Sequence, residues 1–341
     1  MKDKTSSAVG LDLGSYAIKC VEISRNNDKM TLERVSILPV PDQLPDNVFK
    51  TLKVLIQTMP SPPKHVRISV SGSSLLIRRI ALPLMTPAEL KGAIRFEAEG
   101  HIPFNIEDCI LDFQMLNQDA EKKTMNVLLV AAKRELILER IKMLADAGIN
   151  PEIIDLDIFC LINAFEVLGN AQNEKVYGVL NIGHRVSSFA IIQDTRPFFV
   201  REIAFGGQNV TKELAGLRGI PEAEADELKM NPTNDIEIQE VLKNATHKGF
   251  EMLAEELRHS IDYFENETGE DLKNIWISGG GAKSFNAPAT LSEELGKNVS
   301  LWNNIKKMEI FGTLDMKYLE EHSPELNVAF GMVIRGIGAR R

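Results

Sequence analysis

Cysteine is scarce: Cys20, Cys109 and Cys160 are the only three in 341 residues, and no two share a C-x-x-C spacing. Scattered thiols build neither a disulfide framework nor a metal cluster, and they fit a reducing compartment in which each is a small core residue. Positive charge is short as well. The formal net charge is -9 and no basic stripe runs along the chain, which argues against a nucleic-acid partner. Long apolar runs are missing. The longest, "VLLVAA" (Val127–Ala132), has the length of a buried strand and falls far below the ~18 residues of a membrane span. The opening MKDKTSSAVG carries no apolar core of a signal peptide. The expectation is a cytoplasmic protein that reaches a membrane only through a partner. Two nucleotide motifs are also absent: no Rossmann G-x-G-x-x-G follows the first strand, and there is no P-loop G-x-x-x-x-G-K-[ST].

What remains is an ordinary globular composition, 44% hydrophobic and 26% charged, in a chain long enough for about two domains. Three strand-like runs come first, Ala8–Leu13, Ile18–Ser24 and Met30–Val40. "LPVPDQLPD" breaks the chain before a helix at Asn47–Met59, and "PSPP" (Pro60–Pro63) opens a different module. That module reads as strands Val66–Ser71 and Ser74–Leu82, a helix, and a closing strand "CILDFQML". Thr86 as N-cap, Pro87 at the first helical position and Glu89 as partner spell a capping box, with Leu90, Ala93 and Ile94 on the apolar face and Pro103 ending the helix. From Met125 strand and helix alternate: "MNVLLVAA", Arg134–Ala147, "EIIDLDI", Phe159–Leu168. Alternation of this kind predicts an α/β layer architecture. After a helical stretch over Asn209–Thr268, "NIWIS" runs into "GGGAKSF", and an apolar-faced helix, "PELNVAFGMVIRGI", comes near the end.

One segment recurs. "GLDLGSYAIK" (Gly10–Lys19) aligns without gaps on "VLNIGHRVSS" (Val179–Ser188), placing Asp12 on Asn181 and Gly14 on Gly183. A recurrence about 170 residues later, each copy opening three strands, predicts a duplicated domain.

An aspartate at the end of a buried strand needs compensation for its charge. Asp12 either caps its own turn or holds a Mg²⁺ ion, usually through water. Gly14, Ser15 and Tyr16 form the turn, whose amides could face phosphate oxygens, and Lys19 returns on the next strand as a point charge. In the second copy Asn181, Gly183 and His184 stand at the equivalent places, with Arg185 following; the alternative for His184 and Arg185 is a solvated turn. Asn181 can bond a metal-bound water but cannot act as an ionised base. Gly279, Gly280 and Gly281, ahead of Lys283, permit close approach of a flat or anionic group, or else form a tight β–α turn. Gly206 and Gly207 lead into a helix whose Thr211, Lys212 and Glu213 could reach an adenine or ribose, or could be exposed polar residues.

This order of motifs resembles the actin/Hsp70/sugar-kinase superfamily and, within its FtsA-like branch, the PilM family, the cytoplasmic actin-like component of type IV pilus assembly. "VSGSSLLIRRIALPLMTPAELKGAIRFEAEGHIPFNIEDCILDFQML", "REIAFGGQNVTKELA" and "LNVAFGMVIRGI" carry the resemblance. It implies an α/β, actin-like (ribonuclease H-like, duplicated) fold with two lobes and a 1C-type insert. Lobe 1 would be residues 1–44 plus 123–175, the insert 45–122, lobe 2 residues 176–205 plus 270–341, and subdomain 2B 206–269. It also implies ATP and Mg²⁺ in the interdomain cleft, with phosphates on the two hairpins and the nucleoside on Gly206, Gly207, Thr211, Lys212, Gly279–Gly281 and Lys283. The partner would be the N-terminal peptide of a PilN-like inner-membrane protein, linking other platform and motor components; self-association is left open. The peptide would lie at the junction of the insert with subdomain 1A, where Ile77, Arg79, Phe96 and Ile102 are candidates for contact. Their alternative is insert core and a solvated strand face. Many family members carry aspartate where Asn181 stands, so the resemblance implies at most a slow ATPase. Two other readings stay open. A small-molecule kinase would need Asp155 or Asp157 as base. An FtsA-like filament protein would need a longer amphipathic tail than 335–341 offers.

Overall fold

Each copy of the repeated strand–turn–strand segment opens its own sheet. The computed structural model describes residues 6–26, 29–169, 174–232, 234–303, 309–311 and 314–338. The opening pentapeptide and the last three tail residues, both read above, lie outside that set. In lobe 1, β1 (Ser6–Leu13), β2 (Ala17–Asn26) and β3 (Lys29–Pro39) form an antiparallel meander. On one side β4 (Val66–Val70) runs parallel to β1 and β8 (Pro151–Leu156) parallel to β4; on the other, β14 (Glu309–Ile310) runs parallel to β3. In lobe 2, β9 (Val176–Ile182), β10 (Ser187–Gln193) and β11 (Arg196–Ile203) repeat the meander, with β12 (Asn274–Ser278) parallel to β9 and β13 (Asn298–Leu301) parallel to β12. The orders β3-β2-β1-β4-β8 and β11-β10-β9-β12-β13 are the same.

A third sheet, β5-β7-β6, is the insert: β5 (Leu75–Pro83), β6 (Cys109–Asp119) and β7 (Thr124–Lys133), all antiparallel. Its helix α2 (Pro87–Glu99) starts at the expected capping box, Thr86 Oγ1 accepting from the Glu89 amide at 3.3 Å while Glu89 accepts from the Thr86 amide at 2.7 Å. The insert is narrower than 45–122 at its start and longer at its end. Helix α1 (Pro45–Gln57) buries Val48, Leu52 and Leu55 against Leu11, Ile18 and Cys20 of the lobe 1 sheet, and β4 is a strand of that sheet. Strand β7, expected to begin lobe 1's α/β run, pairs instead with β5 and β6, so the insert spans about 75–133. Its Lys133 passes directly into α3 (Arg134–Asp146).

Helices α5 (Gly207–Arg218), α6 (Glu222–Met230) and the 33-residue α7 (Ile236–Thr268) cover the outer face of the lobe 2 sheet together with α8 (Ala287–Leu295). They share one core with it, in which Phe250, Leu253, Leu257 and Phe264 meet Leu180, Ile182, Phe189 and Ile191.

Between the two sheets lie α4 (Asp157–Leu168) and α9 (Met316–Gly338), in a core that joins Val21 and Ile23 of lobe 1 to Val179 and Ala190 of lobe 2. The last helix begins two turns before Pro324, where the sequence suggested its start, because Asp315 caps it through the Lys317 amide at 2.9 Å. Pro324 then sits inside the helix without an N–H to donate, and Asn303 Nδ2 donates to the Glu320 carbonyl at 2.9 Å. Its own carbonyl accepts from Ser278 Oγ and the Gly279 amide of lobe 2 at 2.7 and 2.8 Å. Further along, the Val333 carbonyl accepts from Arg67 of β4 at 2.7 Å, and Arg335 pairs with Asp155 at the end of β8.

The two helices touch backbone to backbone: a Cβ on Gly331 would stand 1.8 Å from the Cys160 carbonyl oxygen. Gly331→Ala is therefore expected to lower unfolding free energy in urea by roughly 3 kcal/mol. Gly216→Ala, on an open face of α5, is the matched control and is expected to raise it by roughly 0.5 kcal/mol. An unchanged midpoint for Gly331→Ala would mean the crossing is not tight.

One lobe-to-lobe bond carries a titratable group. Glu202 of β11 accepts from the Gly72 amide, in the turn between β4 and β5, at 3.0 Å. Burial pushes its carboxyl from 4.5 up to about 7, the Asp157 charge adding and the Gly72 amide opposing. The folded chain thus keeps a proton that the unfolded chain releases. Stability is expected to fall by about 2 kcal/mol as pH rises from roughly 5 to 7, less than the full linkage because the carboxyl keeps some solvent contact. In Glu202→Gln that slope should vanish from urea curves taken at both ends of the window, and a slope that persists would locate the proton elsewhere.

Candidate functional site

The β1–β2 hairpin sets the first wall of the site. Asp12 and Lys19 are cross-strand partners, and Lys19 Nζ lies 2.8 Å from Asp12 Oδ2. Burial works against the Lys19 charge, but Asp12, backed by Glu325 and Asp157, outweighs it and holds the ammonium above its ordinary range. Lys19 is a fixed cation. In the β9–β10 hairpin the equivalent partners are Asn181 and Ser188, so the second copy has no ion pair. Both hairpins close tightly, the Gly183 amide reaching the Val186 carbonyl at 3.0 Å.

The hairpins face one cleft of about 270 Å³ between the lobes. Asp12, Gly14, Ser15, Tyr16, Lys19, Asn181, Gly183, His184, Gly207, Gly279, Gly280, Gly281 and Lys283 all line it, so most of the sequence-predicted set converges. Gly206, Thr211 and Lys212 do not line it. The Thr211 side chain is buried, donating to Asp226 at 2.9 Å and accepting from Lys229 at 2.5 Å, and Lys212 is exposed on α5. Tyr16 reaches across from lobe 1 toward Asp226 of α6, and burial together with that carboxylate pushes its phenol up to about 12. Its ring leans on His184, centroids 5.2 Å apart. Burial, reinforced by Lys229, lowers His184 to about 4, so at neutral pH it is an uncharged ring. Its Nε2 is buried without a partner among the described residues.

The glycines have a packing role. A Cβ on Gly206 would stand 2.3 Å from the His184 carbonyl carbon, and the Gly207 and Gln208 amides are spent on the Gly183 and His184 carbonyls at 2.9 Å each. The start of α5 is a staple on the second hairpin rather than an open anion site. Gly279 adopts φ +92, and a side chain there would meet the Ile182 carbonyl oxygen at 2.3 Å. Only Gly280 of the three has room beside it, with Glu325 3.7 Å from where a Cβ would be.

Residues the sequence left out complete the lining: Ser69, Ser71, Arg140, Lys229 and Glu325. Asp157 lines it as well, whereas Asp155 is spent on Arg335. Burial and the nearby Asp12 charge raise the Asp157 carboxyl, against the hydroxyls of Ser69 and Ser71. Glu325 is held below its ordinary range despite burial, by Lys283 at 3.1 Å and by His322. Register offered a signal for Ser69, since β4 pairs with β1, but none for α6 or α9.

Cations and neutral donors therefore outnumber the three lining carboxylates, which suits a polyphosphate. Among the described residues no group of three or more His, Cys, Asp or Glu could cage a metal. Mg²⁺ fits this donor set only as an ion shared with phosphate and water beside Asp12.

The four candidates for peptide contact do not form one surface: Ile77 and Arg79 share a cavity with Phe198 of lobe 2, and Phe96 and Ile102 lie apart from it. Ile102 is buried in the insert core and Ile77 packs toward the central core; Arg79 lies over the Phe198 ring of lobe 2 at 4.6 Å; Phe96 is 78% exposed on α2. The junction of insert and lobe 1 is elsewhere. There a groove of about 890 Å³ runs between Pro103–Asp108 and the first turns of α3, with Phe104 and Leu138 facing it. Among the described residues no helix is long and apolar enough to cross a membrane.

Comparison with known proteins places this geometry. The curated ethanolamine utilization protein EutJ of Salmonella typhimurium is 29% identical over 103 residues, 30% of this chain and 33% of that protein. The chain thus spans about a third of the length of the curated relatives it matches. EutJ from Carboxydothermus hydrogenoformans superposes with a TM-score of 0.55 at 15% identity, over 96% of this chain and 89% of that one. MreB 5 of Spiroplasma citri bound to AMPPNP does so at 0.50 and 13%, over 96% and 95%. Both show the fold alone. A solved PilM-PilN type IV pilus biogenesis complex superposes with a TM-score of 0.85 at 25% identity, over 97% of this chain and 99% of that one. The family model described as type IV pilus assembly protein PilM matches residues 10–337. With that match running nearly end to end over an actin-like fold, the chain belongs to the PilM family of type IV pilus assembly proteins.

Proposed function

We propose that this protein is a nucleotide-binding adaptor of the pilus assembly platform. It takes ATP with Mg²⁺ between its lobes and holds the cytoplasmic N-terminal peptide of a PilN-like inner-membrane protein in the groove beside α3. The peptide is what keeps it at the inner membrane. The observation that carries the reading is the convergence of both hairpins on one cleft with the fixed Lys19 cation and the unpartnered His184 nitrogen. In this reading Gly14 and Ser15 present backbone to phosphate, Gly183 keeps the second turn tight and free of side chain beside it, Lys19 neutralises it, Gly280 leaves space for the nucleoside, and Lys283 exchanges Glu325 for the ligand. Mg²⁺, when bound, would offset the repulsion between the cleft carboxylates and the phosphates. Asn181 and Ser188 stand where the first copy has Asp12 and Lys19, so the second hairpin offers no carboxylate to order a water. Turnover is slow or absent for that reason. The PilN partner of a family relative supports the peptide reading.

Calorimetry with ATP and Mg²⁺ tests the first half. Asp12→Ala should weaken binding by roughly 10- to 100-fold, about 1.4–2.8 kcal/mol, and Asn181→Asp should raise turnover by up to about 10²-fold. Unchanged affinity in Asp12→Ala removes its assigned role. For the second half, Leu138→Asp should weaken capture of the partner's N-terminal peptide by at least roughly 10-fold while leaving ATP affinity as it is. If the peptide binds Leu138→Asp as tightly as wild type, the groove is misassigned.

A further inference from the structure

Two residues of one strand of lobe 2 hold the insert, and a third holds the turn that leads into it. Arg196, at the start of β11, donates to the Leu116 carbonyl of β6. Phe198 lies under the guanidinium of Arg79 of β5, 4.6 Å from ring centroid to charge centre. Glu202, at the other end of β11, accepts from the Gly72 amide at 3.0 Å. These grips run the length of an edge strand, since β11 ends the lobe 2 sheet and β5 ends the insert sheet. Arg79, read from sequence as a contact for a peptide, is one of them.

The insert's covalent ties go to the other lobe. It leaves lobe 1 through the turn after β4 and returns at Lys133, where β7 becomes α3. Its loop at Pro103–Asp108 forms one wall of the groove, and α3 of lobe 1 forms the other. Both ends of this linkage touch the cleft. Ser71, next to Gly72 in the chain, lines it, and so do Asn181, His184 and Gly279–Gly281 of the lobe that carries β11. A rotation of lobe 2 against lobe 1 must therefore break the β11 grips or carry the insert across α3.

We propose that β11 is a strap that makes the insert travel with lobe 2, so that occupancy of the interdomain cleft changes the width of the groove between the insert and α3. This rests on the nucleotide reading above and adds to it a mechanical route from one site to the other. Coupling of this kind is reciprocal for binding free energies, so an occupant of the groove alters nucleotide affinity by the same factor, typically roughly 5- to 150-fold. The route consists of discrete contacts that are either made or broken, as a two-state element requires.

The test reads the groove directly and needs no partner peptide. Spin labels on Glu107→Cys and Lys142→Cys flank the groove, both positions having side chains about three-quarters exposed (74% and 76%), and the three native cysteines are buried and should not take label. Pulsed electron–electron resonance should give a displaced distance distribution on adding ATP and Mg²⁺ to the full chain. In Arg79→Ala/Arg196→Ala on the same labelled background, calorimetry should still register ATP binding while the displacement is lost. An unmoved distribution in the labelled protein that keeps Arg79 and Arg196, with ATP bound, overturns the proposal, as does a displacement that survives the double substitution. Absence of ATP binding in the intact protein is a different failure: it sinks the nucleotide reading, and this inference with it.

Discussion

The contact on which the molecule depends is the crossing of α4 and α9 at Cys160 and Gly331, where the two helices meet with no side chain between their backbones. Each helix fills the space between the sheets, and each also brings a carboxylate to the cleft. Asp157 is the first residue of α4, and Glu325 directly follows Pro324, through which α9 is bonded to lobe 2. The far part of α9 is bonded to lobe 1 through Arg67 and Arg335. One helix thus spans both lobes. Close-packed interiors transmit displacement rather than absorb it, so the spacing of this crossing sets the spacing of the cleft walls.

Duplication explains the shape of the cleft, and divergence between the copies explains its chemistry. The backbone of the two hairpins is equivalent, down to the tight glycine turns at Gly14 and Gly183. The side chains are not. Asp12 and Lys19 form an ion pair on one side, whereas Asn181 and Ser188 are neutral on the other. Charge for the second wall comes from outside the repeat, through Lys229 of α6 and Lys283 after β12. Both are tied to carboxylates, Asp226 and Glu325. A cleft whose three lysines are already paired binds by exchanging partners, which suits retention of a ligand more than rapid chemistry.

The insert changes what lobe motion can do. In a two-lobed molecule without it, opening and closing would alter only the cleft. Here an edge strand of lobe 2 grips a module that is covalently part of lobe 1, and the Glu202–Gly72 bond sits next to a cleft residue, Ser71. The groove beside α3 is lined on one side by a loop of the same module.

Local features were legible without coordinates. The three-strand meanders, the glycine turns, the Thr86–Glu89 capping box and the gapless repeat all depend on residues near one another in the chain, where turn chemistry and period decide conformation. Twelve of the residues named for the nucleotide, and Asp12 named for the metal, follow from that repeat or from glycine runs and do line the cleft. What only the tertiary structure decided involves partners distant in sequence. Strand β7 reads like a lobe 1 strand but pairs with β5 and β6, because a strand's apolar pattern does not say which edge it will join. Gly206 and Gly279 read like ligand glycines but serve contact with the second hairpin, since a missing side chain looks the same whether ligand or backbone fills the space. Thr211, Lys229 and Glu325 took their places from how α5, α6 and α9 pack, and so did the β11 grips on the insert, and helix packing leaves no short-range mark in the sequence.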